Sequence, residues 1–358
     1  MANCTAFTNV CPRPGLHSKL GQLYELNNAI VDWTSNIAVH ESASPEFLRE
    51  QVIADLRESR IHPHLLYAGL RQASLWTALH HAISPAQRDA TCAGMYEEAF
   101  AYLTKELHGN IAHVISLACG DGSKDTWCLQ QVRASGRAAI YSPVDLSIDL
   151  VLTAARHIRE ALPGLQTTPL LSDLRRCPVL PAILKQFDPS GSERIILLLG
   201  AIHNFWPADI LRSVLYPVRS QDQLLLGVNL APEKTYDTAL SSILAQYDNA
   251  PTRSWLMGAL SELGLSLDDG TLIFSIASSP MPGLKRIEAQ FKFARDRRIS
   301  IYGESVELES GQELGVFLSY RFTPAHIGTF VREAGLAVTK TWIAANEQEG
   351  LFLCRRAA

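Results

Sequence analysis

The stretch Val114–Asp145, which reads VISLACGDGSKDTWCLQQVRASGRAAIYSPVD, decides the fold of this chain. An apolar run ends in Gly120 and Gly122, a helical segment follows, and a second apolar run ends at Asp145. This order predicts a strand, a glycine turn, a helix and a second strand that closes on a carboxylate. A unit of this kind binds a nucleoside, because glycines let the backbone approach the ligand and the acid accepts hydrogen bonds from ribose hydroxyls.

Two phosphate-binding patterns are missing from the same stretch. It contains neither the full G-x-G-x-x-G of dinucleotide sites nor the G-x-x-x-x-G-K-[ST] of P-loops, so no set of glycines is laid out for a pyrophosphate. A nucleoside without phosphates favours S-adenosylmethionine (SAM) over NAD. A closing helix and strand pair, typical of SAM-dependent methyltransferase sheets, favour the same ligand and are predicted at Thr323–Gly335, Leu336–Ala344 and Gly350–Cys354.

The composition is that of an ordinary globular protein, with 358 residues, 47% of them hydrophobic and 19% charged. A formal net charge of −4 offers no basic surface for nucleic acid. No apolar run approaches the roughly 20 residues of a membrane span. The seven cysteines show no zinc-site spacing, so no metal is expected. We therefore expect a cytoplasmic monomer or homodimer that acts on a small molecule, with neither nucleic acid nor membrane as a partner.

The alternation of strand and helix patterns predicts the fold class. Apolar runs near residues 114–119, 139–144, 167–171, 194–200 and 223–230 indicate strands of a parallel sheet covered by helices on both faces. We predict an α/β protein with a doubly wound, seven-stranded class I methyltransferase (Rossmann-like) sheet, an N-terminal helical region and an inserted α+β lobe. The predicted segments are 1–109 for the N-terminal extension and helical region, 110–230 for the SAM-binding core, 231–312 for an inserted substrate lobe, and 313–358 for the C-terminal helix and strand pair.

Polar residues at predicted strand ends are the candidates for chemistry, because ligands of such sheets bind at the carboxyl ends of the strands. Asp173 ends the third strand and is either a ligand to adenine or a solvated loop acid. Asn204 follows the fourth strand and can donate and accept hydrogen bonds at once, although a simple turn is the alternative. His203 is either a base or a packing residue. Tyr247, on a predicted helix, either packs in the core or points its hydroxyl at a ligand.

The chain resembles the histidine Nα-methyltransferase family of ergothioneine biosynthesis and its fungal relatives that methylate tryptophan derivatives. The resemblance runs from about residue 50 to 310 and is carried by the segments HPHLLYAGLRQASLWTAL, LACGDGSKDT, SPVDLS, LLLGAIHNFWP, AQYDNA and GESVELES. It implies that SAM is bound by Tyr67, Gly120, Gly122, Lys124, Asp145, Leu146, Asp173 and Gly200. It also implies that an amino-acid substrate is bound by Asn204, Phe205, Tyr247 and Glu309, with Asn204, Tyr247 and Glu309 as the catalytic set.

The resemblance is closer on the cofactor side than on the acceptor side. Ile83–Arg88 stands where the family has a segment that carries a substrate-contacting tyrosine, and Gly311 replaces a serine. The leading hypothesis is a SAM-dependent transferase that methylates the α-nitrogen of an amino acid. The alternative is that SAM's own α-amine attacks its γ-carbon, which gives azetidine-2-carboxylate and methylthioadenosine. A third possibility is a SAM-binding module without catalysis.

Overall fold

The computed structural model describes residues 36–175, 191–301 and 303–357. The chain separates into two compact units, Met1–Ile37 and Ala38–Ala358, and the second holds the fold described here. The predicted N-terminal extension lies largely outside the described residues. Within those residues, no helix is both long and apolar enough to cross a membrane.

The helices follow the capping residues of the sequence. In the first helix, Ser44 is the N-cap and accepts from the Phe47 amide at 3.3 Å, and Pro45 occupies the first position. The described helices are α1 (Pro45–Arg57), α2 (His64–Tyr67), α3 (Leu70–Ile83), α4 (Pro85–Arg88), α5 (Ala90–Lys105), α6 (Ser123–Ala134), α7 (Ile148–Ala161), α8 (Pro207–Ile210), α9 (Tyr236–Tyr247), α10 (Ala250–Glu262) and α11 (Pro324–Glu333).

The strands form one large sheet, one small sheet and a hairpin. They are β1 (Ala38–Val39), β2 (Ile111–Leu117), β3 (Ala138–Asp145), β4 (Gln166–Thr167), β5 (Leu170–Leu171), β6 (Glu193–Leu199), β7 (Gln223–Asn229), β8 (Gly270–Ser278), β9 (Lys285–Phe293), β10 (Arg297–Ile301), β11 (Glu304–Leu308), β12 (Glu313–Arg321), β13 (Leu336–Ile343) and β14 (Glu349–Arg356).

The large sheet has the predicted doubly wound topology. Its order is β1-β5-β3-β2-β6-β7-β14-β13, and the short β4 pairs with β3 beside β5. Neighbours from β1 to β7 run parallel, whereas β14 and β13 are antiparallel, so the closing strand pair completes the sheet. The predicted α/β class I architecture is therefore confirmed. The two-residue strands β1 and β4 are additions to the seven that were expected.

Two sequence-based boundaries need correction. The predicted strand at 167–171 is two short strands, because Pro169 has no amide hydrogen to donate to the ladder. The predicted helix that carries Tyr247 ends at this residue and a second helix follows, since Asn249 is extended and caps α10 by accepting from the Thr252 amide at 2.9 Å. The break after Tyr247 leaves this residue at the end of α9.

A small antiparallel sheet packs beside the large one. Its order is β12-β9-β8, and β10 pairs with β11 as a separate hairpin. The apolar faces of these strands share a core with α1, α3 and α10. The outer strand β12 lies after residue 312, so the C-terminal segment contributes to this sheet as well as to the large one. An isolated bridge joins Phe322 to Leu230, at the end of β7.

Candidate functional site

Asp145 ends β3 with its carboxylate buried. The side chain is 8% exposed, and its two oxygens accept hydrogen bonds from the Gly120 amide at 3.3 Å and the Ser147 amide at 3.0 Å. Burial raises the pKa of Asp145 to about 6, and these backbone hydrogen bonds oppose the rise. The predicted pairing of the glycine turn with the distal acid is present in the structure.

The two glycines of the turn have different surroundings. Both have positive φ, +57° at Gly120 and +76° at Gly122. A Cβ on Gly120 would lie 2.7 Å from the ring of Trp76, whereas one on Gly122 would lie 3.0 Å from the Cα of Ala154 in α7. Gly120 thus lets α3 cover the turn, and Gly122 lets α7 pack against α6. The second contact is structural, so SAM binding by Gly122 stays a prediction.

Tyr67 lies at the end of α2, next to the nucleoside end of the site. The Gly69 amide donates to the Asp149 carboxylate at 2.9 Å and ties this segment to α7. Burial and the nearby Asp145 raise the pKa of Tyr67, and a hydrogen bond from the Asn204 side chain opposes the rise. The structure therefore brings Tyr67, Asn204 and Asp145 together, although they are far apart in sequence.

Lys124 lies under the end of β6. A Cβ on Gly200 would be 3.6 Å from the Lys124 ammonium, which also lies 4.9 Å from the Tyr96 ring centroid and 3.9 Å from Glu349. The Tyr96 hydroxyl donates to the buried Glu349. This buried acid and tyrosine hold the lysine beside Gly200, as expected if both contact the same ligand.

Asp173 is buried in an ion pair. It lies 2.8 Å from Arg175, and its amide donates to Ser42 Oγ at 3.0 Å. Burial acts to raise the pKa of Asp173, but the charge and hydrogen bonds of Arg175 outweigh it and hold the pKa below its usual value. The solvated-loop alternative is thereby wrong, and a contact with adenine stays a prediction. Leu146 and Phe205 are partly buried, Leu146 beside Asp145 and Phe205 against the core of the large sheet.

Tyr247 lies across one face of β12. Its hydroxyl is 2.9 Å from Ser319 Oγ and accepts from Arg321 at 2.5 Å. Its ring centroid lies 5.9 Å from that of Phe317. Alternate residues of a strand share a face, so Phe317, Ser319 and Arg321 meet one tyrosine side by side.

These contacts close into a ring of side chains. An aromatic arc runs from Tyr67 through Trp255 and Phe317 to Tyr247, with successive centroids 5.6, 5.6 and 5.9 Å apart. On the polar side, Arg321 donates to Tyr247, and the strand of Arg321, β12, packs on the turn Ile202–Asn204. Asn204, at the end of that turn, contacts Tyr67, and we call this side the polar arc. We call the following residues the site ring: Tyr67, Trp255, Phe317, Tyr247, Ser319, Arg321 and Asn204.

His203 lies behind the polar arc. It is 5% exposed, and its Nε2 lies 2.9 Å from the side-chain nitrogen of Asn229. Burial lowers the pKa of His203 well below its usual value, and the charges of Arg321 and Lys124 lower it further. The imidazole of His203 is therefore neutral at physiological pH and packs beneath Asn204. This favours the interpretation of His203 as a packing residue over its interpretation as a base.

The structure does not bring Glu309 to the site ring. It is exposed in the turn after β11, where its amide donates to the Gln312 side chain at 3.0 Å. That turn forms backbone hydrogen bonds with Phe293, the last residue of β9. Ser319 pairs with Ile287, which lies near the other end of β9. Six strand residues separate these positions by about 20 Å. Val306 and Leu308 take the buried face of β11, which leaves the acids of this segment in solvent.

Four ring residues were not singled out from the sequence: Trp255, Phe317, Ser319 and Arg321. The last three carried a weak signal, since they alternate within FLSYR and place a serine and an arginine on one face of a strand. Trp255 carried none, because an apolar residue on a helix is ordinarily core. Among the described residues, no cluster of His, Cys, Asp or Glu suited to a metal ion occurs.

The sheet topology, the buried acid after the glycine turn and the closing strand pair define a class I SAM-dependent methyltransferase. The family model described as "Histidine-specific methyltransferase, SAM-dependent" matches residues 94–356. The chain belongs to this family and is a SAM-dependent transferase.

Several known proteins are similar to this chain. The histidine N-alpha-methyltransferase of Mycolicibacterium smegmatis is 22% identical over 252 residues, 68% of this chain and 75% of that protein. Its namesake from Mycobacterium tuberculosis is 24% identical over 254 residues, with the same coverages. Among solved structures, magnesium protoporphyrin IX methyltransferase from Synechocystis PCC 6803 with bound SAH is 12% identical at a TM-score of 0.45, covering 81% of this chain and 97% of that one.

The residues of the site fit SAM. The buried Asp145 carboxylate suits ribose hydroxyls, and Lys124 beside Gly200 suits the methionine carboxylate. Asn204 Oδ1 is buried and accepts no hydrogen bond from the described part of the chain. A buried acceptor of this kind ordinarily has a partner, so its place on the site ring suits a ligand that donates a hydrogen bond there.

Proposed function

We propose that this enzyme transfers the methyl group of SAM to the α-amino nitrogen of an amino acid with an aromatic side chain. The site ring is the observation that supports it. Its polar arc offers groups for an amine and a carboxylate, and its aromatic arc is a run of rings packed edge to face or tilted against one another. The cofactor residues adjoin this ring at Tyr67, which lies near Asp145 and bonds to Asn204.

Catalysis in such a site is mainly positioning. Bound SAM supplies an electrophilic methyl group on a sulfonium, which a neutral amine attacks without further activation. We propose that Asn204 Oδ1 accepts a hydrogen bond from the acceptor's amine and directs its lone pair. Tyr247 fixes the acceptor through its hydroxyl, which Ser319 and Arg321 orient. His203 is buried behind the site ring and is not placed to accept a proton. The proton released from the product amine therefore passes to solvent.

The class of acceptor side chain follows from the aromatic arc. The two curated relatives are named for histidine, whose imidazole is one ring that stacks on aromatic faces. The arc here consists of two tyrosines, a tryptophan and a phenylalanine. We infer that indole and phenyl rings bind it at least as well as imidazole, since larger apolar rings bury more surface.

Cyclisation of SAM to azetidine-2-carboxylate is not favoured. The family match is to enzymes described as methyltransferases, and the site ring provides acceptor contacts that cyclisation would not use. For the remaining expectations, we propose that residues 231–312 form the greater part of the acceptor lobe. We also propose that the enzyme works in the cytoplasm as a monomer or homodimer. Light scattering on the purified chain distinguishes the two oligomeric states.

The deciding experiment incubates the enzyme with SAM and one amino acid at a time: histidine, tryptophan, phenylalanine, tyrosine, leucine or glutamate. Mass spectrometry of the products should show a gain of one or more methyl groups on an aromatic amino acid, with S-adenosylhomocysteine formed in step. A reaction with SAM alone is the control. Formation of methylthioadenosine in that control would show that the enzyme cyclises SAM instead of transferring its methyl group. Absence of a methylated product with every amino acid would also contradict the proposal.

A further inference from the structure

Arg321 is a buried cation for which the described residues supply no counterion. The residue is 6% exposed, and it donates to the Tyr247 hydroxyl at 2.5 Å and to the Leu230 carbonyl at 3.4 Å. Its Nε is buried without a hydrogen-bond partner. Across residues 36–175, 191–301 and 303–357, no carboxylate forms an ion pair with it. All of its contacts in the described residues are to neutral groups.

Two other arginines in the described part of the chain, one buried and one largely buried, are paired with carboxylates. Arg194, 4% exposed, forms two hydrogen bonds to the Asp222 carboxylate at 2.8 and 2.6 Å. Arg175 pairs in the same way with Asp173. Removing a charge from water is costly unless an opposite charge compensates it. The fold supplies that compensation at Arg194 and Arg175 but not at Arg321, which indicates that a ligand supplies it there.

The position of Arg321 identifies the ligand group. It lies on the site ring, on the same strand face as Ser319 and Phe317, and Tyr247 covers it. A guanidinium fork matches a carboxylate with two parallel hydrogen bonds. An amino acid in the ring has one such group next to its α-amine. Two carboxylates reach this region, that of the acceptor and that of SAM, and Lys124 beside Gly200 already faces the SAM side.

We propose that Arg321 binds the α-carboxylate of the amino-acid acceptor and so makes a free carboxylate a requirement for binding. This inference rests on the proposed function and adds a selection rule to it. The anchored carboxylate places the adjacent α-amine near Asn204 and the side chain along the aromatic arc. Amines that lack the carboxylate, and amino-acid esters or amides, are then poor ligands even where their rings fit.

The test measures equilibrium binding, which does not depend on turnover. Calorimetry on the full chain saturated with S-adenosylhomocysteine compares L-tryptophan with tryptamine, which differs only by the carboxylate. The wild type should bind tryptophan at least tenfold more tightly than tryptamine. In Arg321→Met this preference should vanish, with tryptophan weakened at least tenfold and tryptamine unchanged. Arg321→Lys, which keeps the charge, should restore part of the preference.

Arg298→Met is the matched control, because Arg298 is an exposed arginine of β10 that pairs with Glu307, away from the site ring. It should bind both ligands as the wild type does. Thermal unfolding with S-adenosylhomocysteine identifies any Arg321 variant that has lost its fold, and Arg321→Gln then replaces it. Equal preference for tryptophan in Arg321→Met and wild type would overturn the inference, as would wild-type protein that binds neither ligand. Loss of SAM affinity in Arg321→Met, with tryptophan binding intact, would assign the arginine to SAM and overturn it too.

The inference and the proposed function fail in different ways. Binding of tryptophan that depends on Arg321, with no methylated product from any amino acid, removes the proposed function and retains the carboxylate anchor. Methylated product from wild type and Arg321→Met with the same KM for the acceptor retains the function and removes the anchor.

Discussion

At the scale of the residue, Asp145 joins the sequence pattern to the chemistry. Its carboxylate is buried and held by two backbone amides, so its oxygens have fixed directions before any ligand arrives. A carboxylate held in this way presents its remaining lone pairs to a ribose at little cost in ordering. The glycine turn and the distal acid, read from the sequence, are both present with this geometry. This part of the site could be predicted because it lies within one local unit.

Substitution of Asp145 by alanine should weaken SAM binding. Hydrogen bonds to a charged acceptor contribute about 1.5–3 kcal/mol, so the Kd for SAM is expected to rise about tenfold to a hundredfold. Isothermal titration with SAM alone measures the change. Asp237→Ala is a control, since that acid is exposed and pairs with Lys285, away from the glycine turn. An unchanged Kd in Asp145→Ala would show that the ribose lies elsewhere.

The raised pKa of Asp145 predicts how binding depends on pH. Ribose hydroxyls need the ionised carboxylate, which burial makes scarce below about pH 6. The Kd for SAM should therefore rise as the pH falls through 6, by up to about tenfold per unit. Since the folded-state pKa lies above the ordinary value, this group's contribution to the stability of the ligand-free protein falls as the pH rises towards 6 and is constant above it.

The control for this pH dependence is Asp145→Asn, whose side chain does not titrate. Burial also raises the pKa of Asp125 to about 6, so a second carboxyl titrates in the same window. Titrations of SAM from pH 5 to 8 should show a slope in the wild type and a flatter line in Asp145→Asn. Parallel lines would assign the slope to Asp125 or to another group.

At the scale of the element, the sequence predicted the strands of the large sheet within a few residues. Continuous apolar runs such as that of β7 are buried on both faces. Such strands can be recognised in the sequence even though apolar and polar residues do not alternate in them. Boundaries moved where backbone chemistry intervened, at Pro169 and at Asn249. Strand β12 was missed because the core on which it packs changes along its length, with a register irregularity between Gly315 and Phe317. Leu318 and Tyr320 face the large sheet, while Leu314 and Val316 belong to the core beneath the small one.

The turn between β2 and α6 depends on a glycine for packing. Gly122 has φ +76°, and a Cβ there would lie 3.0 Å from the Ala154 Cα, in a contact that backbone atoms cannot relieve. Gly122→Ala should cost about 1–3 kcal/mol of unfolding free energy from backbone strain, and the clash adds to it. Gly136→Ala is the matched control, with φ +80° and no heavy atom within 4 Å.

The two alanine variants separate strain from contact. Chemical denaturation should show Gly136→Ala destabilised by the strain alone and Gly122→Ala by more. Because Gly122 belongs to the glycine turn and precedes the first residue of α6, its alanine variant should also bind SAM more weakly. Equal destabilisation of both variants would mean that α7 moves aside at no cost, and that the close packing of Gly122 is incidental.

At the scale of the whole molecule, the site ring is assembled from elements that the sequence keeps far apart. Tyr67 comes from α2, Trp255 from α10, Arg321 from β12 and Asn204 from the turn after β6. Nothing local fixes which of these side chains meet, since that depends on how the small sheet packs beside the large one. The sequence predicted acceptor roles for Asn204, Tyr247 and Glu309, and the structure places the first two in the ring and the third outside it. That glutamate lies at the wrong end of the small sheet because strand register, not residue type, places it.

Because the cofactor and acceptor groups adjoin but are distinct, their ligands should stabilise the molecule in separable steps. S-adenosylhomocysteine at a hundred times its Kd should add about 2.7 kcal/mol to the free energy of unfolding, seen as a rise in the melting temperature. L-tryptophan added next should raise it again. Asp145→Ala should reduce the first rise, whereas Asn204→Ala should keep the first and lose the second. If both variants lost the first rise equally, Asn204 would belong to the cofactor's contacts, and the polar arc could not be the place where the acceptor's amine is held.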